Sequence, residues 1–580
     1  MPARRLQWEP QELPWEEQKR LREQLEKELD ACTEIRETYR NKIKKFLVGE
    51  NIWHIAEIDY QIRIAYESFL EMEVAPVSKS AYLKAFDRVK QHAIRKEMQT
   101  LSGRNREIQY KNQILFLPYH PDQQLAMLFE QSAKKEDLVW DFTADAPEKM
   151  KRQIFCILHY LIREYTNVKS RRRVMLGLRK FYEYCITEKV GDIESLELSQ
   201  VEQFRAELAE REHRLFCIVN ISRKVLFVEA TEIHWNANVW YLERFRFEKT
   251  RVDPSKPVSQ ISFLEVQEKS NRSLLQLYMK YCLGLTHLSI NNLRSEFLKI
   301  RNFLVWLDQN GTLDVRKVTE HVIQQYFRHM EQKQILPETF NDEVMAVVHF
   351  YNYLKSKGVI AKVPFHEQYY LKKTILKHNN RSVSQKAYVE ILEKLDGFPE
   401  DLRLMFLHLW GLGLRAGEVC TLKGNAYYVQ GRDAWIQVYQ IKMKTYKRIP
   451  IPSALYKLMR VYIAKQGIQP EDYIFQNRKG GAYCYATFRK KMLEYCEKNE
   501  IENGEYLFKS HDYRHTIATI FYDEGVSIQG VRDYLGHEYE EMTRQYIDYM
   551  PKKIARANET YFEKQGSSLA ADLKRCKRGE

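Results

Sequence analysis

Apolar residues recur at helical spacing over most of this chain and give way to two-residue alternation only in short stretches. Residues 16–46, EEQKRLREQLEKELDACTEIRETYRNKIKKF, are charged, free of Pro and Gly, and apolar every three or four positions; they predict one long helix or helical arm. Residues 151–186, KRQIFCILHYLIREYTNVKSRRRVMLGLRKFYEYCI, predict further helix. Inside them LRKFYEYC (178–185) is similar to IRNFLVWL (300–307), an offset of 300 − 178 = 122 residues. The same offset pairs Ile193 with Val315, Leu196 with Val318, Val201 with Ile323 and Phe204 with Tyr326. Two copies of one helical unit are expected. Residues 219–262 are richer in β-branched and aromatic side chains and contain Asp-Pro-Ser-Lys-Pro, which predicts short strands and then a linker. Helical spacing returns over 268–365. Residues 371–383 are polar, basic and without period, so they predict an inter-domain linker, after which Ser384 can cap the helix QKAYVEILEKL.

The last third is mixed. DLRLMFLHLWGLGLRAGEVCTLK predicts a helix, a glycine-rich turn and a second helix, and DAWIQVYQIKMKTYKRIPIP alternates as two strands around a basic turn. YIFQNRKGG predicts a short strand running into a loop. ALYKLMRVYIAKQG, TFRKKMLEYCEKN and HTIATIFYDEG predict helices, the last with Ile517, Ile520 and Phe521 on one face and Gly525 as its stop. The expected fold is mainly α, with a small antiparallel sheet in the C-terminal domain. The expected segments are a helical extension (1–139), a helical module (140–215), a β-rich connector (216–267), a helical domain (268–370), the basic linker (371–383), the mixed domain (384–555) and a tail (556–580).

With 580 residues the chain needs several cores. It has no run of about 18 apolar residues and no apolar signal segment at its start, so a cytoplasmic location is expected. Nine cysteines lie singly, with no Cys-x-x-Cys and no zinc spacing, which suits reduced structural thiols. The net charge of +14 suits a polyanionic partner, although each basic cluster taken alone is more readily a solvated face.

The chemistry narrows this. Gly411 and Gly413 allow a tight turn before Arg415, and Glu418 lies one helical turn beyond it. An isolated Arg-x-x-Glu is ordinarily a surface ion pair. His511 and Arg514 share the first turn of a helix. SIQGVRDYLGH predicts another, with Ile528, Val531 and Leu535 inward, Gly536 at its end and His537 just beyond; Tyr546 follows nine residues later. Two guanidinium groups, two imidazoles and a phenol suit attack of the phenol on a phosphodiester. The forks hold the non-bridging oxygens, and histidine moves protons near neutral pH. A lysine of the basic turn (Lys442, Lys444 or Lys447) would protonate the leaving oxygen.

In this order and spacing, GLGLRAGEVCTLK, QIKMKTYKRIPIP, HDYRH, LGH and TRQY resemble the tyrosine recombinases of the phage-integrase family over about residues 380–555; the long preceding region is similar to the larger, transposon-carried integrases. The resemblance implies Arg415, His511, Arg514 and His537 around a DNA phosphate, Tyr546 as nucleophile rather than Tyr549, Glu418 in support, and Lys442, with Lys444 next, as general acid. The basic turn departs from the common Gly-Lys-Gly form, and Tyr513 stands where Leu is usual. A core-binding domain at 268–370 and the linker are implied to clamp duplex DNA, with Lys372, Lys373, Lys377, Arg381 and Lys444 as DNA contacts; residues 140–215 would be a second core-binding-like, DNA-binding unit or would hold partner proteins. Strand exchange through a 3′-phosphotyrosyl bond implies no cofactor, metal or ATP. It also implies a homo- or hetero-tetramer on DNA, joined where needed by partner recombinases of the same element, and association with the nucleoid. Residues 551–566 would dock on a neighbour or fold back. The alternatives are relaxation of DNA in the manner of a type IB topoisomerase and a non-catalytic DNA-binding protein. RNA binding has only charge in its favour.

Overall fold

The structure is a computed structural model that describes residues 14–104, 108–130, 138–311, 314–374, 381–540 and Thr543. Among them no helix is long and apolar enough to cross a membrane. The chain divides into two compact units, 1–241 and 242–580.

The first unit opens with α1 (Trp15–Asp30) and α2 (Glu37–Gly49), so the single long helix expected over 16–46 is instead a helical hairpin. The reversal lets Leu25 and Leu29 join Ile43, Phe46 and Leu47 in one buried cluster, which a straight helix could not form. There follow α3 (Tyr60–Glu73), α4 (Pro76–Glu97) and α5 (Leu101–Arg104), then β1 (Ile114–Phe116), α6 (Gln123–Glu130) and β2 (Val139–Asp141). Strands β1 and β2 pair antiparallel, Leu115 opposite Trp140. A bundle completes the unit: α7 (Glu148–Glu164), α8 (Val168–Thr187), α9 (Leu198–Glu207) and α10 (Cys217–Glu229), followed by β3 (Val239–Tyr241). Helix α10 corrects the expectation of strands from residue 219. Ile218, Val219, Ser222 and Val225 are buried at helical spacing on α7 and α8, and this packing outweighs β-branched propensity. The bundle therefore runs past the expected boundary at 215.

The second unit contains β4 (Gln260–Ser262) and another bundle, α11 (Lys269–Leu285), α12 (Ile290–Gln309), α13 (Glu320–Gln332) and α14 (Pro337–Ser356). The 122-residue offset reappears in its geometry. Helix α12 begins and ends 122 residues after α8, and α13 begins 122 after α9. The N-caps correspond: the Asn167 side chain accepts from Ser170 N at 3.1 Å, and Ser289, 122 residues on, accepts from Asn292 N at 3.2 Å. Asp192 and Asp314 cap matching 3₁₀ turns. Rings Phe181–Phe204 lie 5.2 Å apart, and Phe303–Tyr326 5.0 Å. The amide oxygens of Gln153 and Asn271 accept from the matched N–H groups of Ile193 and Val315 at 2.9 and 2.8 Å.

Beyond this bundle come α15 (Gln385–Glu393), capped by Ser384, α16 (Glu400–Leu412) and α17 (Ala416–Cys420). An antiparallel sheet follows, β5 (Tyr427–Gln430), β6 (Asp433–Gln440) and β7 (Thr445–Ile451), in that order. Helices α18 (Ser453–Gln466), α19 (Tyr485–Lys498), α20 (Ser510–Asp523) and α21 (Ile528–Leu535) complete the described domain. One core runs from Ile391 to Tyr513 and joins sheet to helices. The Asp-Pro-Ser-Lys-Pro segment, expected as linker, is tied to this domain: the Ser255 carbonyl accepts from Tyr485 N at 2.8 Å, and the Lys256 ammonium lies 4.8 Å from the Tyr485 ring centre.

Candidate functional site

Arg415 occupies the N-cap of α17 in extended conformation, just after Gly413, which closes α16 at φ +59°. A Cβ on Gly413 would lie 3.2 Å from Leu535 and 3.3 Å from Ile517, so the turn needs glycine both for its φ and for the approach of α20 and α21. Glu418 folds back on this N-terminus, as a side chain at the third helical position can. Its carboxylate accepts from Arg415 N at 3.0 Å and Arg415 Nη1 at 2.8 Å.

Arg514 is 1% exposed. Its Nη1 donates to the Gly413 carbonyl at 2.9 Å and its Nη2 to the Leu535 carbonyl at 2.6 Å. One guanidinium thereby ties the turn before Arg415 to the end of α21. That helix stops at Gly536, φ +69°, and His537 follows it, buried, with Nδ1 2.9 Å from Thr543 Oγ1. Gln440 Nε2 donates to Gly536 O at 3.2 Å, fixing the end of β6 to the same turn.

The structure also places Lys447 here. It is buried on β7, with Nζ 3.3 Å from both Glu418 Oε2 and the Leu535 carbonyl oxygen. Cations at the carbonyl end of a helix are favourably placed. Lys442 and Lys444, ranked ahead of it from the sequence, lie exposed in the hairpin turn, and Lys444 has φ +57°. The signal for Lys447 was strand alternation. It shares the inward face of β7 with Ile449 and Ile451, while Arg448 and Pro450 point out.

His511 stands at the start of α20, exposed, one turn before Arg514. Arg381 and Lys373 are exposed in the basic linker. Lys372 is instead engaged by Glu331 at 3.0 Å and by the Phe340 ring at 4.2 Å. Tyr513 is buried and its hydroxyl meets that of Tyr506 at 2.8 Å, so it serves packing. Lys377, Tyr546, Tyr549 and residues 551–566 lie outside the described residues.

Charge is tightly coupled in this cluster. Burial pushes the Glu418 carboxyl up, but Lys447, Arg514 and Arg415 overcome it and hold it at about 2. Burial and the neighbouring Arg514 bring Lys447 down to about 8 despite Glu418. Desolvation, with His515, Arg514, Arg415 and Arg381, lowers His511 to about 4; desolvation, with Arg514, Arg415 and Lys447, lowers His537 to about 3. Near pH 7 the cluster thus holds three cations (Arg415, Arg514, Lys447), one carboxylate and two neutral imidazoles, a surplus of 3 − 1 = 2 positive charges.

These shifts set a sign for acid stability. His537 takes up its proton at lower pH folded than unfolded, so its contribution is complete above about 6.5 and is lost as pH falls towards 3. The Glu418 contribution is complete above 4.5 and is lost towards 2. Scanning calorimetry should therefore show Tm falling between pH 6.5 and 4.5, before most carboxylates protonate; His511, His408 and His159, each lowered to about 4 by burial, share in that fall, and His537→Asn should make the segment shallower by its own part. An unchanged slope in the variant would contradict the assignment.

Residues 381–553, which contain every member of this cluster, match the model of the phage integrase family. That stretch of the chain is a phage-integrase domain. Transposase B from transposon Tn554 of Staphylococcus aureus is 24% identical over 340 residues, 57% of this chain and 54% of the relative. A tyrosine recombinase of Pseudothermotoga lettingae is 24% identical over 278 residues, 47% of this chain and 93% of the relative. The chain thus spans about half the length of the Tn554 relative. Among solved structures, the Tn1549 transposon integrase in complex with a circular intermediate DNA is 18% identical, covering 50% of this chain and 98% of that one, with a TM-score of 0.38. Within the integrase domain, Arg415, Glu418, Arg514 and His537 converge with Lys447, which was not ranked first from the sequence, and Lys442 stands apart from them at the hairpin tip.

Proposed function

We propose that the protein is a site-specific DNA recombinase or integrase that breaks and rejoins strands through a 3′-phosphotyrosyl bond on Tyr546, in the integration, excision or transposition of a mobile element. The observation that carries this is the surplus of two positive charges fixed in a water-poor cluster, matched to the two negative charges of a five-coordinate phosphorus. Arg415 and Arg514 would hold the non-bridging oxygens. The Tyr546 oxygen would form a bond to phosphorus as the bond to the 5′-oxygen breaks, and that oxygen would take a proton from a lysine. A 5′-hydroxyl of a second strand would then reverse the step, so the bond energy is kept. His511 and His537, neutral in the free protein, would donate hydrogen bonds to the phosphate or accept the tyrosyl proton. Duplex DNA, a tetramer on it and partner recombinases of the same element belong to this proposal. The test is to trap the protein on a nicked duplex from its element's ends and map the modified peptide: attachment at Tyr546 supports it, and attachment at Tyr549 or nowhere overturns it.

Two lysines divide the positive charge. Lys442, exposed at the hairpin tip, suits the proton donor; Lys447, fixed by Glu418 and the Leu535 carbonyl, suits a static electrostatic role. A bridging 5′-sulfur leaves without protonation. Lys442→Ala should therefore lose about 10²–10⁴ in cleavage of normal DNA and recover most of it on the 5′-thio substrate. Lys447→Met should be slow on both. Recovery by Lys447→Met alone would exchange the roles.

A further inference from the structure

Helices α7 to α10 repeat the architecture of α11 to α14, with α12 set 122 residues after α8, the same caps and the same ring pair, and both bundles precede the integrase domain. Their charge is segregated. Between Arg163 and Lys180 there are seven Lys and Arg against one acid, Glu164; the rest of residues 148–229 carries nine against eleven. One of the seven, Arg171, is buried, donating to the Tyr165 carbonyl at 3.3 Å and lying over the Phe129 ring. The other six point wholly or partly to solvent: Arg163, Lys169, Arg172 and Arg173 are exposed, Arg179 and Lys180 half-buried. Lys180 is paired to Glu212 at 3.0 Å and Arg179 to Glu183 at 3.4 Å.

Two further observations bear on this face. Lys169 stands in the first turn of α8, where the helix dipole disfavours a cation and no acid offsets it, and Arg172 and Arg173 follow side by side in the second turn. A polyanion laid against this face would meet all three basic side chains. The matching segment of the second bundle, residues 285–302, also carries surplus positive charge, three Lys and Arg against one Glu. Arg294 and Arg301 stand 122 residues after Arg172 and Arg179, Arg294 exposed like Arg172 and Arg301 half-buried like Arg179.

We infer that residues 148–229 form a second duplex-DNA-binding module, duplicated from the bundle before the integrase domain, whose basic α8 face grips the phosphate backbone without reading bases. The inference rests on the proposed action on DNA strands. One enzyme would then hold a length of duplex beyond the strand-exchange site, with the duplicated module contributing phosphate contacts of its own.

The test uses the full chain and the triple variant Lys169→Ala, Arg172→Ala, Arg173→Ala, all at exposed positions. Affinity is measured by anisotropy over a range of KCl on a core duplex of about 30 bp and on one of about 80 bp. Wild type should bind the longer duplex more tightly and with a steeper salt dependence. The variant should lose at least about tenfold on the longer duplex, with a log–log slope shallower by about two to three, close to 0.9 per phosphate contact removed. Trapping on the short duplex should be unchanged. If the variant matches wild type in affinity and slope on the long duplex while still trapping the short one, the inference fails, the strand-transfer proposal stands, and this face is left to a protein partner. If neither protein traps DNA while length and slope still differ between them, the module holds and the strand-transfer proposal fails.

Discussion

Arg514→Ala is expected to abolish measurable strand cleavage, with a loss of at least about 10³-fold in single-turnover adduct formation, and to lower stability by about 2–4 kcal/mol. Both effects come from one geometry. The guanidinium is 1% exposed and spans two backbone carbonyls, Gly413 at 2.9 Å and Leu535 at 2.6 Å, on the turns that precede Arg415 and His537. Its removal leaves two carbonyls short of a donor in a dry site and frees both turns. It also takes away one of the three cations of the cluster. Arg514→Lys restores charge but not the span, because an ammonium is a point and the two oxygens need a fork. The lysine variant should therefore recover duplex affinity while staying about 10²-fold or more slow in cleavage. Adduct formation in Arg514→Ala within tenfold of wild type would remove this guanidinium from the reaction.

How much of this was legible in the sequence depends on the kind of signal. Arg415 could be placed because a glycine before it dictates a turn and Glu418 follows at helical spacing; Gly413 φ and both Glu418 hydrogen bonds bear out that local geometry, whereas Gly411, also expected in the turn, lies inside α16. His511 and Arg514 were placed on one helix face for the same local reason. The role of the Leu535 carbonyl was not legible. It accepts from Arg514 and Lys447, which come from different elements, and no local pattern announces such a contact. Lys447 carries a second, separate signal. Counting back from the Arg-Ile-Pro of the hairpin pointed to Lys442, but the alternation Lys447, Ile449, Ile451 already placed Lys447 on the inward face.

The helical regions show the same division between local and non-local information. The apolar period of α8 and α12 carried the 122-residue offset, because a core-facing stripe must repeat wherever the packing repeats. The turn at 31–36 did not show, since neither Pro nor Gly marks it; it forms because Cys32 and Ile35 can be buried beneath a hairpin. Residues 219–229 read as strand because valine and isoleucine favour it, and are helix because two neighbouring helices offer a groove.

Glu418→Ala is expected to destabilise the protein by about 3–5 kcal/mol, because among the described residues this is the one carboxylate set between Arg415, Arg514 and Lys447. It is 3% exposed, bridges Arg415 at 2.8 Å and Lys447 at 3.3 Å, and also accepts from Arg415 N. Without it three cations repel one another where water cannot screen them. The protein can relieve this by releasing a proton, and Lys447 is the group able to do so: it already sits near 8, and Glu418 is what raises it. In Glu418→Gln, which keeps an acceptor for Arg415 N but no charge, Lys447 should titrate below 8. The sign follows. Wild-type cleavage should hold through neutrality and decline as pH rises through about 8, where the third cation is lost, or higher once a phosphate lies against it. The glutamine variant should decline at lower pH, and its Tm should rise with pH through the same range, since Lys447 there is more easily neutral folded than unfolded. Glu418→Gln combined with Lys447→Met removes both the negative charge and the cation it supports; it should be more stable than Glu418→Gln alone at pH 7 and lose the pH dependence. Single-turnover rates from pH 6 to 9.5 and thermal melts of the four proteins separate these outcomes, and a glutamine variant with the wild-type alkaline limb would mean that Lys447 does not set it.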